Sequence, residues 1–587
     1  MIRLPINLHL MTTGNPDYKV DTLLFQYLDQ VISWTDESGL KLIIDNHTID
    51  GANAKTVEVP LMKIWPQIAR HFKDSPNSVI YEILNEPNTF AATDWYRIQK
   101  EVLDTIRTID TIHTVIVTGA DWGGISGLTK LTPLNDSNLI YSFHFYDPFL
   151  FTHQAATWPT PSLGDLSGVP FPYNSTGMPA CPASLKGTWV ESSLTSAYRT
   201  DGTVAKLKST IDQTINYSKK YNVKIFCGEL GVYMEKSPAN DRVEWYKAVT
   251  GYLTEKNVPW TMWDYQGGFG LFNKGSNETF EYDLNRPMAE GMGFTLPPYK
   301  EFVMTPDTTG FDIYTDFMGE GLKYGGVPGG GIADLIAPNP YEGNNCIYLT
   351  ETPQYGALDF DFTFNKDISM LRNANSYISL WLKGFSKDAS IVLRFIDTKT
   401  TDPTDHPWRM DYTVYSTTNA PFDGQWHNVT IPLKSFTDAG SWDGSWFDSQ
   451  KEFDWKAVDK FQIVAERAPL TGIEFWFDNI KLVRGDSPLV SSRLIAINNE
   501  VDIFPNPVND KLIVRYFARE SGFLEVAFYD LLGRKLKSFQ NNVLNSGKQS
   551  FIWDLSNESN IPVENGIYIC KIKFNKKEFS RKISVIR

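Results

Sequence analysis

The sequence predicts three folded regions of different class in one chain: a parallel β/α region over residues 1–300, an all-β sandwich over 305–485 and a small all-β unit over 500–587, the last two joined by a linker at 486–499. Three observations predict it. The chain has 587 residues, more than one core organises at roughly 150 residues per domain. Up to about residue 300, short apolar runs alternate with stretches whose apolar residues recur at helical spacing, the pattern of a parallel sheet with crossover helices. Past residue 305 helical spacing gives way to strand alternation, as in the YISLWLK run Tyr377–Lys383.

In the first region the strand candidates are Ile2–Ile6, Leu40–Asp45, Val79–Leu84, Thr114–Thr118, Leu139–His144, Lys224–Cys227 and Trp260–Trp263. The first helical stretch carries Leu24, Tyr27, Leu28, Val31 and Ile32 at the spacing of one buried face. Seven strand-helix steps are visible, one short of an eight-fold barrel. Residues 147–200 break the rhythm: they are rich in Pro, Ser, Thr and Gly without helical period, and read as a long loop of the kind that is functional or disordered. In the second region further strands are expected at Ile391–Ile396 and Phe475–Leu482. From residue 500 onward 14 Lys and Arg stand against 10 Asp and Glu, so this end is basic in a chain of net charge −14.

Composition excludes several classes of function. No Lys/Arg run of the kind that neutralises a phosphate backbone is present in this acidic chain, which argues against a nucleic-acid partner. No apolar stretch reaches the roughly 20 residues of a membrane-spanning helix. The four cysteines form no CxxC pair, so neither a zinc site nor a disulfide framework is indicated, although a Cys181–Cys227 bridge stays open. Aromatic residues make up 14% of the chain, with 17 Trp. Flat rings of that number suit stacking on the apolar faces of sugars as well as large β-domain cores.

The candidate catalytic residues sit where apolar strand runs end. Glu86 follows the run in VIYEILNEP, and Glu229 follows VKIFC in KIFCGELG, with Gly228 allowing close backbone approach. Barrel enzymes place their chemistry at the carboxyl ends of strands. Cleaving a glycosidic bond with retention takes two carboxyl groups about 5 Å apart, one protonated and one ionised. Either glutamate alone is as well explained by a solvated strand end. The neighbours sharpen the reading: Asn85 is placed to donate to a sugar 2-hydroxyl, and Tyr146 and His144, in SFHFYDPF, end another strand, where the phenol can keep a nucleophile ionised. His47 closes LIIDNH and Trp263 closes VPWTMWDY; each reads equally as a core residue. Trp122, Phe149, Phe151, Trp158 and Trp189 fit either sugar subsites or a covered barrel rim.

RLP at Arg3–Pro5, DNH at Asp45–His47, LNEP at Leu84–Pro87, HFY at His144–Tyr146, GELG at Gly228–Gly231 and the strand-end Trp263 occur in the order found in glycoside hydrolase family 5. Over roughly residues 1–297 the chain resembles this cellulase family of retaining (β/α)8 TIM barrels. The resemblance implies that Glu86 is the acid/base and Glu229 the nucleophile, that Arg3 supports the nucleophile, that His47, Asn85, His144 and Tyr146 line the subsite on the non-leaving side, and that Trp263 is the sugar platform. It implies no catalytic metal or cofactor. Arg3 falls on the family's second barrel strand, so the expectation is a barrel lacking its first β/α unit, from a gene model whose Met1 is an internal start and whose export signal is missing.

The sandwich resembles the jelly-roll carbohydrate-binding modules attached to cellulases, in FDWKAVDKFQIVAE and GIEFWFDNIKLV. That resemblance implies a structural calcium on Asp478, which reads equally as a surface aspartate, and makes Trp408, Trp426, Trp442, Trp446 and Trp455 candidates for a glycan face, two or three of them core. FPNPVNDKL, FYDLLGRKL and the closing NGIYICKIKFNKKEFSRKISVIR resemble the type A C-terminal sorting domain of the type IX secretion system. This implies export from a Gram-negative bacterium through that machinery, to the medium or the cell surface. The combined expectation is a secreted retaining endo-β-1,4-glucanase acting on β-glucan polysaccharide. The alternatives are a β-mannanase, xyloglucanase or lichenase on the same scaffold, or a non-catalytic glycan-binding surface protein.

Overall fold

Six strands lie side by side in chain order in the computed structural model: β1 (Ile2–Ile6), β2 (Leu42–Asn46), β3 (Val79–Glu82), β4 (Thr114–Thr118), β5 (Leu139–Phe145) and β6 (Lys224–Leu230). Every pairing is parallel, which makes this a half-barrel sheet. The structure describes residues 1–49, 54–89, 91–386, 388–485, 501–504, 508, 511–518, 521–530, 533–543, 547–559, 561–575 and 577–585. The linker expected at 486–499 and parts of the FPNPVNDKL and FYDLLGRKL motifs lie outside them. Two compact units result, Met1–Met304 and Thr305–Arg587.

Strands without polar alternation are covered on both faces, as parallel sheets require. In β2 all five residues are buried. Leu42 and Ile44 pack toward the helices with Trp65, Ile68 and Trp95, whereas Ile43 joins Ile80, Ile116, Phe226 and Ile140 in a separate cluster on the opposite face. The connecting helices include α1 (Thr22–Glu37), α2 (Ala54–Phe72) and α3 (Ala92–Arg107), then Val204–Tyr221 and Ala239–Glu255. Asp21 caps α1 by accepting from the Leu23 amide. Leu28 and Ile32 of its expected inner face are buried, and Leu24 and Val31 pack against the core; Tyr27 is exposed.

Two expectations are corrected. The segment Trp260–Trp263 forms a single parallel bridge, Trp260 to Cys227, in place of a regular strand. Its backbone still bonds to β6, through Cys227 N–H to Pro259 O and Trp263 N–H to Leu230 O. Pro259 lacks an amide, and β6 carries a register shift beside Gly228, so a continuous ladder has no room to form. Residues 147–200 hold a helical turn at Phe149–Thr152 and, toward their end, an unbroken helical stretch in which Trp189–Ser192 and Tyr198–Asp201 flank the π-helical Ser193–Ala197, and bury Leu163, Leu166, Val169, Phe171, Leu185 and Val190. A helix whose middle is widened to a π-turn does not keep the 3.6-residue period, so it left no regular pattern in sequence. All four cysteines are free thiols, so the Cys181–Cys227 bridge does not form.

The second unit is antiparallel throughout its named strands. A six-stranded and a seven-stranded sheet enclose a core of Ile378, Leu380, Leu382, Phe461, Phe475 and Phe477 among others. Tyr377–Gly384 alternates without a break, with Ile378, Leu380 and Leu382 inward and Tyr377, Ser379, Trp381 and Lys383 on the outer face. The C-terminal part has a three- and a four-stranded sheet around Trp553, which stacks on Phe528 at 4.1 Å.

Candidate active site

The strand ends of the N-terminal unit bring a charged set together around Arg3. From mid-β1 its guanidinium donates to Glu82 Oε2 at 2.6 Å, to Glu229 Oε1 at 2.8 Å and to Asn85 Oδ1 at 2.6 Å, and lies 3.1 Å from Asp45 Oδ2. Burial opposes this charge, but Glu82, Asp45 and Glu229 outweigh it and hold Arg3 well above its ordinary value. Arg3 lies beneath the cleft and supports Glu229 from below; it is absent from the cleft lining.

Glu229 is aimed by a bulge. Phe143 pairs with Cys227 but His144 pairs with Glu229, so Gly228 is the extra residue, and such a bulge re-aims the side chain that follows. A Cβ at Gly228 would stand 2.6 Å from Ser142 Oγ and 3.2 Å from His144 Nε2, which only glycine avoids. The Tyr146 hydroxyl donates to Glu229 Oε2 at 2.8 Å. Burial alone would raise the Glu229 carboxyl, but His144, Arg3, His47 and the Tyr146 O–H together hold it below the ordinary glutamate range. Burial and the adjacent Glu229 push the Tyr146 phenol well up, so it stays a donor.

Glu86 faces Glu229 across His144. His144 Nδ1 lies 2.7 Å from Glu86 Oε1 and 3.5 Å from Glu229 Oε2. Burial disfavours the imidazolium, yet Glu229 and Glu86 hold His144 above its usual value. Donor atoms of Glu86, His144 and Glu229 all lie within 4.8 Å of one another, the one such convergence of three His, Cys, Asp or Glu groups among the described residues.

A cleft of about 970 Å³ opens above the set, lined by His47, Asn85, Glu86, Trp122, His144, Tyr146, Glu229 and Trp263 together with Phe149, His153, Trp158 and Phe269. His47 stacks on Trp263 at 4.9 Å and 5°, and its Nδ1 is 2.8 Å from Asp45. Because Asn85 Oδ1 accepts from Arg3, its amide nitrogen is left to face the cleft. Trp122 and Trp158 are exposed, whereas Phe151 is core.

Sequence reasoning missed Glu82, Asp45, His153 and Phe269. For the first two a signal existed: a carboxylate inside an apolar strand run, VIYE or LIIDN, has to be paired when buried, and both are fully buried here. His153 and Phe269 come from irregular segments and left no pattern. Burial takes the His153 ring down to about 3, so it lines the cleft uncharged.

In the sandwich, Asp478 Oδ2 accepts from the amides of Tyr341 at 2.9 Å and Glu342 at 3.0 Å, and Oδ1 from Asn479 at 2.7 Å. Burial raises this carboxyl to about 6. Its donors fit a carboxylate that anchors a turn; they do not by themselves make the cage of six to eight oxygens that calcium takes. The anchored turn lays Tyr341 on Trp381 at 3.4 Å and 11°. Lys383 lies over both Trp426 and Trp476, so one outer face carries a row of rings. Of the candidate tryptophans, Trp426 belongs to that face, Trp442 and Trp446 are exposed elsewhere, Trp408 is core and Trp455 packs against the core.

Comparison with known proteins agrees with this division. Residues 1–268 match the family model "Cellulase (glycosyl hydrolase family 5)", 341–484 match "Carbohydrate binding domain 30" and 502–586 match "Secretion system C-terminal sorting domain". Endoglucanase 3 of Fibrobacter succinogenes is 29% identical over 303 residues, 47% of this chain and 45% of that protein. The chain therefore spans less than half of that relative's length. Endoglucanase C of Acetivibrio thermocellus is 24% identical over 287 residues, 46% of this chain and 82% of that protein. A crystal structure of an endoglucanase from Thermotoga maritima is 28% identical with a TM-score of 0.42, covering 49% of this chain and 84% of that one.

Proposed function

The N-terminal domain belongs to glycosyl hydrolase family 5, and on that premise we propose that the chain is a secreted endo-β-1,4-glucanase working by double displacement with retention. The observation that carries this reading is the approach of the Glu86 and Glu229 carboxylates to within 4.8 Å. Retaining pairs stand at about 5–5.5 Å, whereas inverting pairs leave roughly 6.5–9.5 Å for a water.

Glu229, held ionised, attacks the anomeric carbon while Glu86 protonates the departing oxygen. Water then enters, Glu86 takes its proton, and the ester to Glu229 is released. Asn85 donates to the 2-hydroxyl, and the Trp263–His47 stack supports the sugar ring. The open cleft, flanked by Trp122 and Trp158, suits attack within a chain. The ring-bearing face of the sandwich holds the same polysaccharide, and the sorting domain passes the protein through the type IX machinery of a Gram-negative cell.

Reducing-sugar release from carboxymethylcellulose, barley β-glucan, xyloglucan and mannan tests the substrate, and the anomer first released from a cello-oligosaccharide tests the pathway. Cleavage of the cellulose derivative or the β-glucan with the β-anomer first is expected. Release of the α-anomer, or no cleavage of any of the four, would overturn the reading.

A further inference from the structure

The Tyr146 hydroxyl meets Glu229, yet pairing in the sheet does not reach as far as Tyr146. Phe145 is the last residue of β5 paired to β6, opposite Leu230, and Tyr146 stands one residue beyond it. The turn at Phe149–Thr152 takes over. The Thr152 hydroxyl donates to the Tyr146 carbonyl at 2.5 Å, and the Thr152 carbonyl accepts from the Tyr233 amide at 2.8 Å. Tyr233 lies four residues beyond Glu229. One residue therefore ties the segment that carries the donor to the segment that carries its acceptor. Thr152 is fully buried and absent from the cleft lining, so it does not meet a ligand there.

His153 fixes the direction of that contact. Its Nδ1 lies 3.0 Å from Thr152 Oγ1. A hydroxyl has one proton to give, and the Tyr146 carbonyl can only accept. With that proton spent on Tyr146, the His153 contact has to run from Nδ1–H to Oγ1. The ring therefore carries its proton on Nδ1, and burial, which takes it down to about 3, keeps it uncharged. A hydroxyl that accepts on one side and donates on the other is held in rotation. The His153 ring also stands near-perpendicular to Tyr146, with centroids 5.2 Å apart at 74°, and Phe269 closes from 6.0 Å at 69°. Backbone and ring of Tyr146 are both set from the Thr152–His153 pair.

We propose that Thr152 is a positioning residue for the nucleophile: oriented by His153, it fixes Tyr146 so that the phenol O–H stays on Glu229 Oε2. The inference deepens the glycosidase reading above and rests on it. The other charged or titratable groups that face Glu229 are Arg3 from β1, His47 after β2, Glu86 after β3 and His144 from β5. Asp45 and Glu82 act on it through Arg3, and the buried Cys227 thiol is pushed well up and stays neutral. The Thr152 hydroxyl bonds to none of these, so its loss acts on Glu229 through Tyr146 alone.

The test is the acid limb of kcat/KM on a soluble aryl β-cellobioside, measured on the full chain, because that limb reports the free enzyme's ionised nucleophile. Thr152→Val removes the hydroxyl at nearly constant shape. It is expected to lower kcat/KM about threefold and to move the acid limb to higher pH, by less than Tyr146→Phe does. Thr152→Ser keeps the hydroxyl and is expected to hold the parental limb. In a Tyr146→Phe background, Thr152→Val is expected to leave the limb where Tyr146→Phe puts it. A residue that only supports the fold changes melting temperature and kcat without moving that limb. A limb that stays put in Thr152→Val, moves equally in Thr152→Ser, or moves again in the double variant would overturn the proposal. If Thr152→Val does not fold, Thr152→Ala carries the same expectations. A parent chain that cleaves no glycoside ends the glycosidase reading instead. Thr152 is then judged by NMR titration of the Glu229 carboxyl carbon, assigned by its absence in Glu229→Gln: a higher midpoint in Thr152→Val than in the parent supports the proposal, and equal midpoints refute it.

Discussion

Arg3 in the N-terminal unit and Arg394 in the sandwich each bury a guanidinium among carboxylates, but the two sets are balanced differently. Arg394 forms a fork with Asp411, its neighbour across the strand pair, at 2.7 Å and 2.7 Å, and reaches Glu466 at 2.9 Å. That set is local and closed. Arg3 gathers Asp45, Glu82, Asn85 and Glu229 from three further strands or their ends. Around it, Asp45 Oδ1, Asn46 Oδ1, Ser142 Oγ and His144 Nε2 are buried without a hydrogen-bond partner. Buried polar groups left unpaired cost stability, and a fold keeps such a deficit where a ligand or a reaction uses it. On the proposed reading, the Arg3 cluster serves the chemistry and the Arg394 cluster serves the sheet.

The strongest way to break this comparison is Glu229→Gln. Turnover is expected to fall by at least about 10⁴-fold, as for loss of a covalent nucleophile, with melting temperature and circular dichroism close to those of the parent. Activity at the parental level would remove Glu229 from the chemistry.

Exchanging each arginine for methionine sharpens it. Removing one partner of a buried ion pair costs roughly 3–5 kcal/mol because the other charge stays behind, so Arg3→Met and Arg394→Met are both expected to lower the melting temperature clearly. Their activities should part: the Arg3 variant loses turnover on soluble substrate because Glu229 loses its support, while the Arg394 variant keeps kcat per folded molecule. Equal turnover in the two variants would mean that Arg3 is only structural.

Tyr146→Phe acts on a single hydrogen bond. In the proposed mechanism the nucleophile Glu229 has to be ionised, and its carboxyl is held below the ordinary glutamate range partly by the Tyr146 hydroxyl. Losing that donor raises the Glu229 value, so the acid limb of the kcat/KM profile is expected to move to higher pH, with about a tenfold loss at the optimum. A limb that stays put would assign it to another group.

How far the site could be read from sequence follows from the same contrast. Glu86 and Glu229 could be picked out as candidates because each ends an apolar run beside a short motif, and the structure brings them to one cleft; the strands at Ile2–Ile6 and Thr114–Thr118 form with the expected bounds. The partners of Arg3 could not, since Asp45, Glu82 and Glu229 lie from about 40 to more than 200 positions away and only barrel curvature brings them together. In the sandwich the signal was present but unread. Trp408 shares its phase with Met410 and Val414, all three buried, so alternation alone places it in the core. By the same rule Trp381, between inward Leu380 and Leu382, has to face out.

The smallest effect belongs to that outward ring. Trp381 supports Tyr341 from the sheet, and Asp478 holds the Tyr341 turn through two backbone amides; ring and anchor are therefore one device. Trp381→Ala is expected to weaken retention on insoluble cellulose by about 1 kcal/mol or somewhat more, the scale of a single interface anchor, and to leave hydrolysis of soluble oligosaccharides unchanged. Asp478→Ala should reproduce the binding loss even though its side chain lies under the turn, because without the carboxylate Tyr341 is no longer laid against Trp381. If depletion onto cellulose stays the same in Trp381→Ala while Trp442→Ala or Trp446→Ala abolishes it, the glycan face lies on the other sheet, and the stacked pair is a packing feature.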